Sequence, residues 1–336
     1  MSKAAQLAAL IGSGQAQGNK NMVVNGEMAV SQRATAATAA VNAAYATVDR
    51  FKFYQSNDGA YTSEQSTDVP SGEGFNKSLK LAVTTADTSI AAAQYAFVAT
   101  VLEGQNLQRL KYGTSNAEHI TVSFWVKSNK TGTYSLTATT VTTTYSHFQN
   151  YTINSANTWE KKTITISPTA GSTTLITSSG GAITNDNTAG LQLFWNLAYG
   201  TNYHGTENSW TASTYYSDSN QVNWMDSTSN NFYLTGVQME VGEVATAFEH
   251  EDFGTTSRKC KRYYELLDMS VYPSAYSTAG LGNYFWTERK RANPTISADT
   301  NSGSYNLNVT NTNGGYIYNS TFNGSSVNGL RGDSEL

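Results

Sequence analysis

The sequence predicts an all-β protein: a jelly-roll-like β-sandwich followed by a smaller β-rich C-terminal domain, with a short helix or extended anchor in front. Three observations carry this. Apolar residues alternate with polar ones in many short runs, the period of half-buried strands. Val122, Phe124 and Val126 alternate with Ser123, Trp125 and Lys127, and Leu191, Leu193, Trp195 and Leu197 with Gln192, Phe194 and Asn196. Clusters of Gly, Ser, Thr and Asn separate the runs, as turns require. Finally, only 14% of the 336 residues are charged, and 21 Tyr and 12 Phe favour strands over helices.

Taken in order, residues 1–20 stand apart. Ser2 can cap a short helix reaching Leu10 or Ile11, which Gly12 and Gly14 stop. A helix this short is marginal alone and makes sense as an anchor that docks on a partner. Residues 21–252 form the sandwich. Met22–Val24 reads as a short strand closed by Asn25 and Gly26, and residues 31–47 as loop. Val48 to Tyr54 is a strand with Phe51 and Phe53 inward and Arg50, Lys52 and Tyr54 outward. Leu79, Leu81 and Val83 form the next stripe, then Tyr95, Phe97, Ala99 and Val101; residues 103–110 read as one or two helical turns. Tyr134, Leu136 and Ala138 follow, then Ile164 and Ile166. The last strand begins at 231, with Phe232 and Leu234 on one face and Tyr233, Thr235, Val237, Met239 and Val241 on the other, until Gly242 breaks it. Residues 253–336 supply strand-like pieces joined by Asn-Gly and Gly-Gly turns. So few aliphatics make a thin core there, which points to symmetric association for the missing burial.

Charge and motifs narrow the function. A net charge of −4 is unlike that of a phosphate-backbone binder, so no nucleic acid partner is expected. No apolar run reaches the roughly 20 residues of a membrane span. Cys260 is the lone cysteine, so no disulfide frames the fold, and a buried structural thiol is expected. The four histidines show no metal spacing, and no nucleophile elbow, phosphate loop or nucleotide fingerprint occurs. The expectation is a protein that is not an enzyme.

The connection from Ala198 to Ser229 holds Tyr203, His204, Trp210, Tyr215, Tyr216 and Trp224 among Asn, Ser, Thr, Asp and Gly. Loops beyond about 15 residues in a compact domain are functional or disordered. Flat rings cover the C–H faces of sugars, and amides and carboxylates take the hydroxyl edges. Tyr203, Trp210, Tyr215, Tyr216 and Trp224 are therefore candidate glycan-binding residues; the competing reading is that the rings pack the loop onto the sandwich. Trp125 lies on the polar-alternating face of its strand and is either a sugar platform or covered by another segment.

LTGVQMEVGEVATAFE at 234–249 followed by CKRYYE at 260–265 resembles a module of tail fibre proteins of tailed bacteriophages. NMVVNGEMAVSQR at 21–33, VDRF at 48–51, HITVSFWVK at 119–127, NTWEKKTITI at 157–166, ANPTIS at 292–297 and the closing GDSEL match the same family in the same order. The resemblance covers residues 21–336. It implies a virion protein, homotrimeric, fixed to another phage protein through residues 1–20 and attaching to a bacterial surface polysaccharide. The strand pattern also resembles carbohydrate-binding modules that often hold a structural Ca²⁺. Glu27 and Glu240, from the first and last strands of the sandwich, are the candidate ligands; the alternative is that each caps a turn or pairs with Arg33, Arg50 or a Lys.

Overall fold

The computed structural model describes residues 20–40, 42–271, 280–301, 306–319 and 327–336, so the helix expected before Gly12 lies outside the described residues. The chain divides into two compact units. The first comprises residues up to Ala29 and Ala34–Glu251; the second comprises Val30–Arg33 and Asp252–Leu336.

The first unit is a two-sheet antiparallel sandwich, as expected. Its strands are β1 (Thr38–Ala39), β2 (Phe51–Ser56), β3 (Ala60–Ser66), β4 (Ser78–Thr85), β5 (Tyr95–Glu103), β6 (Ile120–Ser128), β7 (Gly132–Thr140), β8 (Ser146–Ile153), β9 (Glu160–Ile166), β10 (Ala189–Tyr199) and β11 (Asn231–Val241). One sheet runs β1-β3-β4-β11-β6-β9 and the other β2-β5-β10-β7-β8. The inward stripes meet in one core that includes Phe51, Phe53, Leu79, Val98, Phe124, Leu136, Leu193, Trp195 and Phe232. Two short 3₁₀ turns, Gly104–Asn106 and Gln108–Leu110, occupy the stretch read as one or two helical turns.

Four local expectations are corrected. Met22–Val24 is turn rather than strand, although Met22 N–H donates to the Met239 carbonyl at 2.9 Å and Val237 N–H to that of Gly26 at 2.8 Å. Arg50 is buried rather than outward: its backbone is left-handed at φ 71°, and Nη2 donates to the Val101 carbonyl at 2.6 Å. Val237 and Met239 share the core with Phe232 and Leu234 instead of opposing them. Gly236, at φ 61°, sits in a register shift between Thr235 and Gln238, and one extra residue turns every later side chain to the other face. A Cβ at Gly236 would lie 2.6 Å from Phe75 Cζ and 3.0 Å from Trp125 Cδ1, so the bulge needs glycine twice over.

The fourth correction is in the second unit, where residues 253–261 form a helix, α1 (Phe253–Lys261). Asp252 caps it by accepting from Thr255 N–H, and Arg258, Lys259 and Lys261 fill its last turn, where cations complement the dipole. The helix buries Cys260, as expected of a structural thiol. Strands β12 (Tyr264–Val271), β13 (Gly280–Phe285), β14 (Thr295–Asn301), β15 (Asn306–Asn311), β16 (Gly314–Asn319) and β17 (Val327–Asp333) make two sheets, β12-β17-β14 and β13-β16-β15. The described core is small: Tyr284, Trp286, Ile317 and Leu330, with Leu267, Ile296, Ala298 and Leu307 against it. Polar contacts supplement it. Lys290 and Glu265 form a fully buried ion pair at 2.5 Å. The Arg33 guanidinium lies 3.7 Å from the centre of the Tyr264 ring and pairs with Asp333 at 3.0 Å and Glu335 at 3.4 Å.

Candidate functional site

The outer face of the β2-β5-β10-β7-β8 sheet carries an aromatic cluster separate from the core between the sheets. Alternation puts Tyr95, Phe97 and Ala99 of β5 on this face, and register places Tyr54 of β2 beside Phe97 and Phe194 of β10 beside Ala99. Phe97, Ala99, Phe194 and Tyr199 form a buried lower layer, and Tyr54, Tyr95, Tyr203 and Tyr216, half-buried, lie over it.

The long loop after β10 builds one side of this cluster. Tyr203 and Tyr216 stack on each other at 5.9 Å and 11°. Each meets the sheet aromatics edge-on: Tyr203 with Tyr95 at 88° and Tyr216 with Phe194 at 88°. By contrast, Tyr54 lies nearly flat on Phe97, at 4.7 Å and 15°. The result is a corner of two ring orientations. The loop is fixed by its backbone: the Tyr216 carbonyl accepts from Ser135 Oγ at 3.1 Å, Thr137 Oγ1 at 2.8 Å and Asn196 Nδ2 at 2.8 Å. Such buried, satisfied polar contacts hold a loop in one conformation. Burial raises the Tyr203 and Tyr216 phenols above their ordinary value, so both are neutral donors at any physiological pH.

The structure distributes the expected site residues among four places. Tyr203 and Tyr216 come together in the cluster. Tyr215 is exposed at 37% on the same loop. Trp210 and Trp224 are corrections: at 1% and 0% exposure both lie in the sandwich core, where no ligand reaches them. Trp210 Nε1–H donates to the Ser167 carbonyl at 2.8 Å, which lets an indole turn inward without losing its hydrogen bond. Trp125 is half-buried on the outer face of the other sheet, beside Gly236. Tyr54 was legible as an outward residue, whereas Tyr95, Phe97 and Ala99, read from the sequence as an apolar stripe like that of Leu79, Leu81 and Val83, face away from the core between the sheets, which takes Ala96, Val98 and Leu102 of β5 instead; nothing in the sequence linked these rings to Tyr203.

Glu27 and Glu240 do not fit a calcium centre. The Glu240 carboxylate accepts from Thr246 N–H and Oγ1, both at 2.8 Å, and from Gln238 Nε2 at 3.0 Å, so protein donors fill it. Glu27 instead faces His250 Nδ1 at 3.4 Å; burial raises its carboxyl above the usual value, partly offset by the histidine. Glu240 thus caps a turn, the alternative read from the sequence, whereas the partner of Glu27 is His250 rather than Arg33, Arg50 or a Lys. Among the described residues, no group of three or more His, Cys, Asp or Glu gathers to hold a metal. Nor, among them, is any helix long and apolar enough to cross a membrane.

The outer face of the six-stranded sheet carries a charged row. Register aligns Glu64 of β3, Lys80 of β4, Tyr233 of β11 and Lys127 of β6 across four strands. Lys80 pairs with Glu64 at 2.8 Å. Lys127 pairs with Asp68, and its ammonium lies 4.3 Å from the Tyr233 ring centre and 5.4 Å from that of Trp159. Trp159 Nε1–H donates to Asp68 at 3.0 Å. Burial pushes the Asp68 carboxyl up, but Lys127 and Trp159 outweigh it and hold it below the ordinary value.

No family model matches the sequence, and no curated protein does. Several solved structures are distantly similar. The enzymatically active domain of bacteriophage CBA120 tailspike protein 4 aligns over 66% of this chain and 21% of its own length, at 12% identity and a TM-score of 0.34. A protein from Bacteroides thetaiotaomicron described as sugar-binding aligns over 66% and 99%, at 11% identity and a TM-score of 0.37. A family 11 carbohydrate-binding module from Clostridium thermocellum, in complex with a β-1,3-1,4-mixed-linked tetrasaccharide, aligns over 59% and 91%, at 9% identity and a TM-score of 0.29. Likenesses this distant do not by themselves establish a shared function, and the sandwich geometry stands on its own strands.

Proposed function

We propose that this chain is a receptor-binding tail fibre protein of a phage virion. It is homotrimeric, attached to another virion protein through residues 1–20, and binds a bacterial surface glycan without cleaving it. One observation carries the binding reading: four half-buried tyrosines form a fixed corner on an outer sheet face, where the core between the sheets does not need them. A sugar ring placed there stacks a C–H face on Tyr54 or Tyr203, and the phenols meet its hydroxyls. Each such site is shallow and weak. Several copies per trimer and per virion raise avidity. The virion assignment rests on the ordered motif resemblance.

A second reading, a glycan-cleaving tailspike, has one observation in its favour. The Asn150 amide donates to both Glu207, at 3.1 Å, and Asp218, at 2.8 Å. Their oxygens therefore lie within about 6 Å, twice a hydrogen-bond length, near the spacing of a retaining carboxylate pair. Both carboxylates are spent on tying the loop to β8, which favours the non-cleaving reading.

Purified protein mixed with whole host cells and with extracted surface polysaccharide, with reducing-end release assayed in the same tubes, decides between them. Binding without release is expected. Release of oligosaccharide would make the protein an enzyme, and neither binding nor release would leave a structural adaptor.

A further inference from the structure

We infer a second glycan-binding site, in the second unit: the cavity between helix α1 and the turn after β13 takes one uncharged pyranose residue of the same polysaccharide. This rests on the glycan reading above but uses no residue of the tyrosine cluster.

The cavity has a volume of about 590 Å³, within the roughly 300–1,000 Å³ of small-molecule sites, so a sugar ring has room. Its walls come from two elements. Gly254, Ser257, Arg258 and Lys261 recur at helical spacing on one face of α1, and Thr287 and Glu288 follow β13. Lys261 Nζ donates to Thr287 Oγ1 at 3.3 Å and joins the walls at one end. Thr287 is pinned in turn, its N–H donating to the buried Glu265 at 3.2 Å. Walls fixed in advance lose little entropy when a ligand arrives. Phe253 also lines the cavity, is 63% exposed and lies outside the described core of the unit. A ring so placed offers a face to sugar C–H groups. The polar capacity around it is largely unspent. Arg258 is exposed and, among the described residues, makes no ion pair; its Nη2 donates to Thr255 Oγ1 at 3.2 Å. Ser257 and Glu288 are half-buried, and among the described residues neither the hydroxyl nor the carboxylate has a hydrogen-bond partner. Asp252, by contrast, is engaged in capping the helix, and Lys261 lies 3.9 Å from the Glu265 carboxylate. One open guanidinium, one open carboxylate and a hydroxyl supply donors and acceptors with no excess charge, which suits an uncharged polyhydroxyl ligand rather than an anion.

The test uses the full chain and oligosaccharides released from the surface polysaccharide of a strain that the protein labels. Calorimetry should give two sites per chain. Phe253→Ala, at an exposed position, should weaken one site at least about tenfold and leave the other unchanged; Tyr54→Ala should do the converse. Phe253→Tyr, which keeps the ring, should hold both sites within about threefold. Hydrogen exchange gives a second readout, which needs no variant of the cavity. The oligosaccharide should slow exchange in peptides covering 253–261 and 284–291, in the wild type and in Tyr54→Ala alike. A single site, lost in Tyr54→Ala and untouched in Phe253→Ala, with no such protection, overturns this inference and leaves the proposed function standing. Protection of 253–261 with Tyr54→Ala without effect supports the cavity and overturns the tyrosine corner. No binding in the wild type overturns both.

Discussion

Replacing Lys290 by Met tests how the second unit holds together. Lys290 and Glu265 are completely shielded from solvent. The Lys290 ammonium also donates to the Lys261 carbonyl, while Glu265 accepts from Thr287 N–H at 3.2 Å and from its hydroxyl. Burial lowers the Lys290 pKa, with Glu265 working against it, so the amine depends on its carboxylate to stay charged. Removing the ammonium strands Glu265 in a dry site, which typically costs about 3–5 kcal/mol. Lys261, 3.9 Å from the carboxylate, shields it in part and puts the expected cost near the lower end, about 3 kcal/mol. The described core offers little reserve, for the four buried apolar side chains of its cluster supply roughly 1.5–3 kcal/mol each. Hydrogen exchange read by mass spectrometry measures the effect. Peptides from 263–271 and 284–291 should open about a hundredfold more often, while peptides from β5 and β10 keep their protection. The double variant Lys290→Met with Glu265→Gln should recover most of the loss, because no charge is left behind. A change below threefold in the single variant, or a double variant no better than the single, would refute the argument.

Further outcomes follow from the first unit. Trp224→Ala should cost about 3–5 kcal/mol in urea unfolding, the price of a buried indole, whereas Tyr215→Ala, on an exposed residue, should stay within about 0.5 kcal/mol. Gly236→Ala should lower the urea midpoint, since the new Cβ meets Phe75 and Trp125 in a left-handed backbone; an unchanged midpoint would show the bulge to be pliable. His147 is buried against Trp210, its Nε2 on Asn208 at 3.2 Å, and burial lowers its pKa to about 4. Depressed below the unfolded value, it contributes stability fully above about pH 6.5 and loses it as pH falls towards 4, on the order of 3 kcal/mol in all. His147→Gln should flatten that part of the pH–stability curve, and an unchanged slope would contradict the assignment.

How much of this was readable in the sequence depended on whether a pattern survived folding. β6, β7 and β10 alternate cleanly, and their apolar stripes (Val122, Phe124 and Val126; Tyr134, Leu136 and Ala138; Leu191, Leu193, Trp195 and Leu197) are the residues that enter the core between the sheets. β3 went unread because Tyr61 is its one buried apolar side chain, and β8 because polar His147 and Gln149 interrupt its stripe. The phase change in β11 hinged on a single glycine, and periodicity counts cannot see a bulge. α1 hid behind Asp252, whose capping role had to compete with the strand-like residues after it. In the long loop, an indole among Asn and Ser looks the same turned in or out. Trp210 and Trp224 turned in, while Tyr203 and Tyr216 were held outside by the Tyr216 carbonyl and its three donors. Partners such as Tyr54 and Tyr95 come from strands more than a hundred residues away, and only the sheet order brings them there.

The short segment Val30–Arg33 belongs with residues after 252 although it lies inside the first unit's sequence. Gln32 donates to the Tyr264 carbonyl at 2.7 Å, and Arg33 reaches both Asp333 and Glu335. The chain thus threads from one unit to the other three times. A chimaera joined at 251, the boundary that the sequence order alone suggests, would hand a new C-terminal unit a Gln32 and Arg33 that it did not come with. Only donors that preserve the aromatic at 264 and the acids near the end would accept the graft, so the range of exchangeable C-terminal units is set by four residues near the opposite end of the polypeptide.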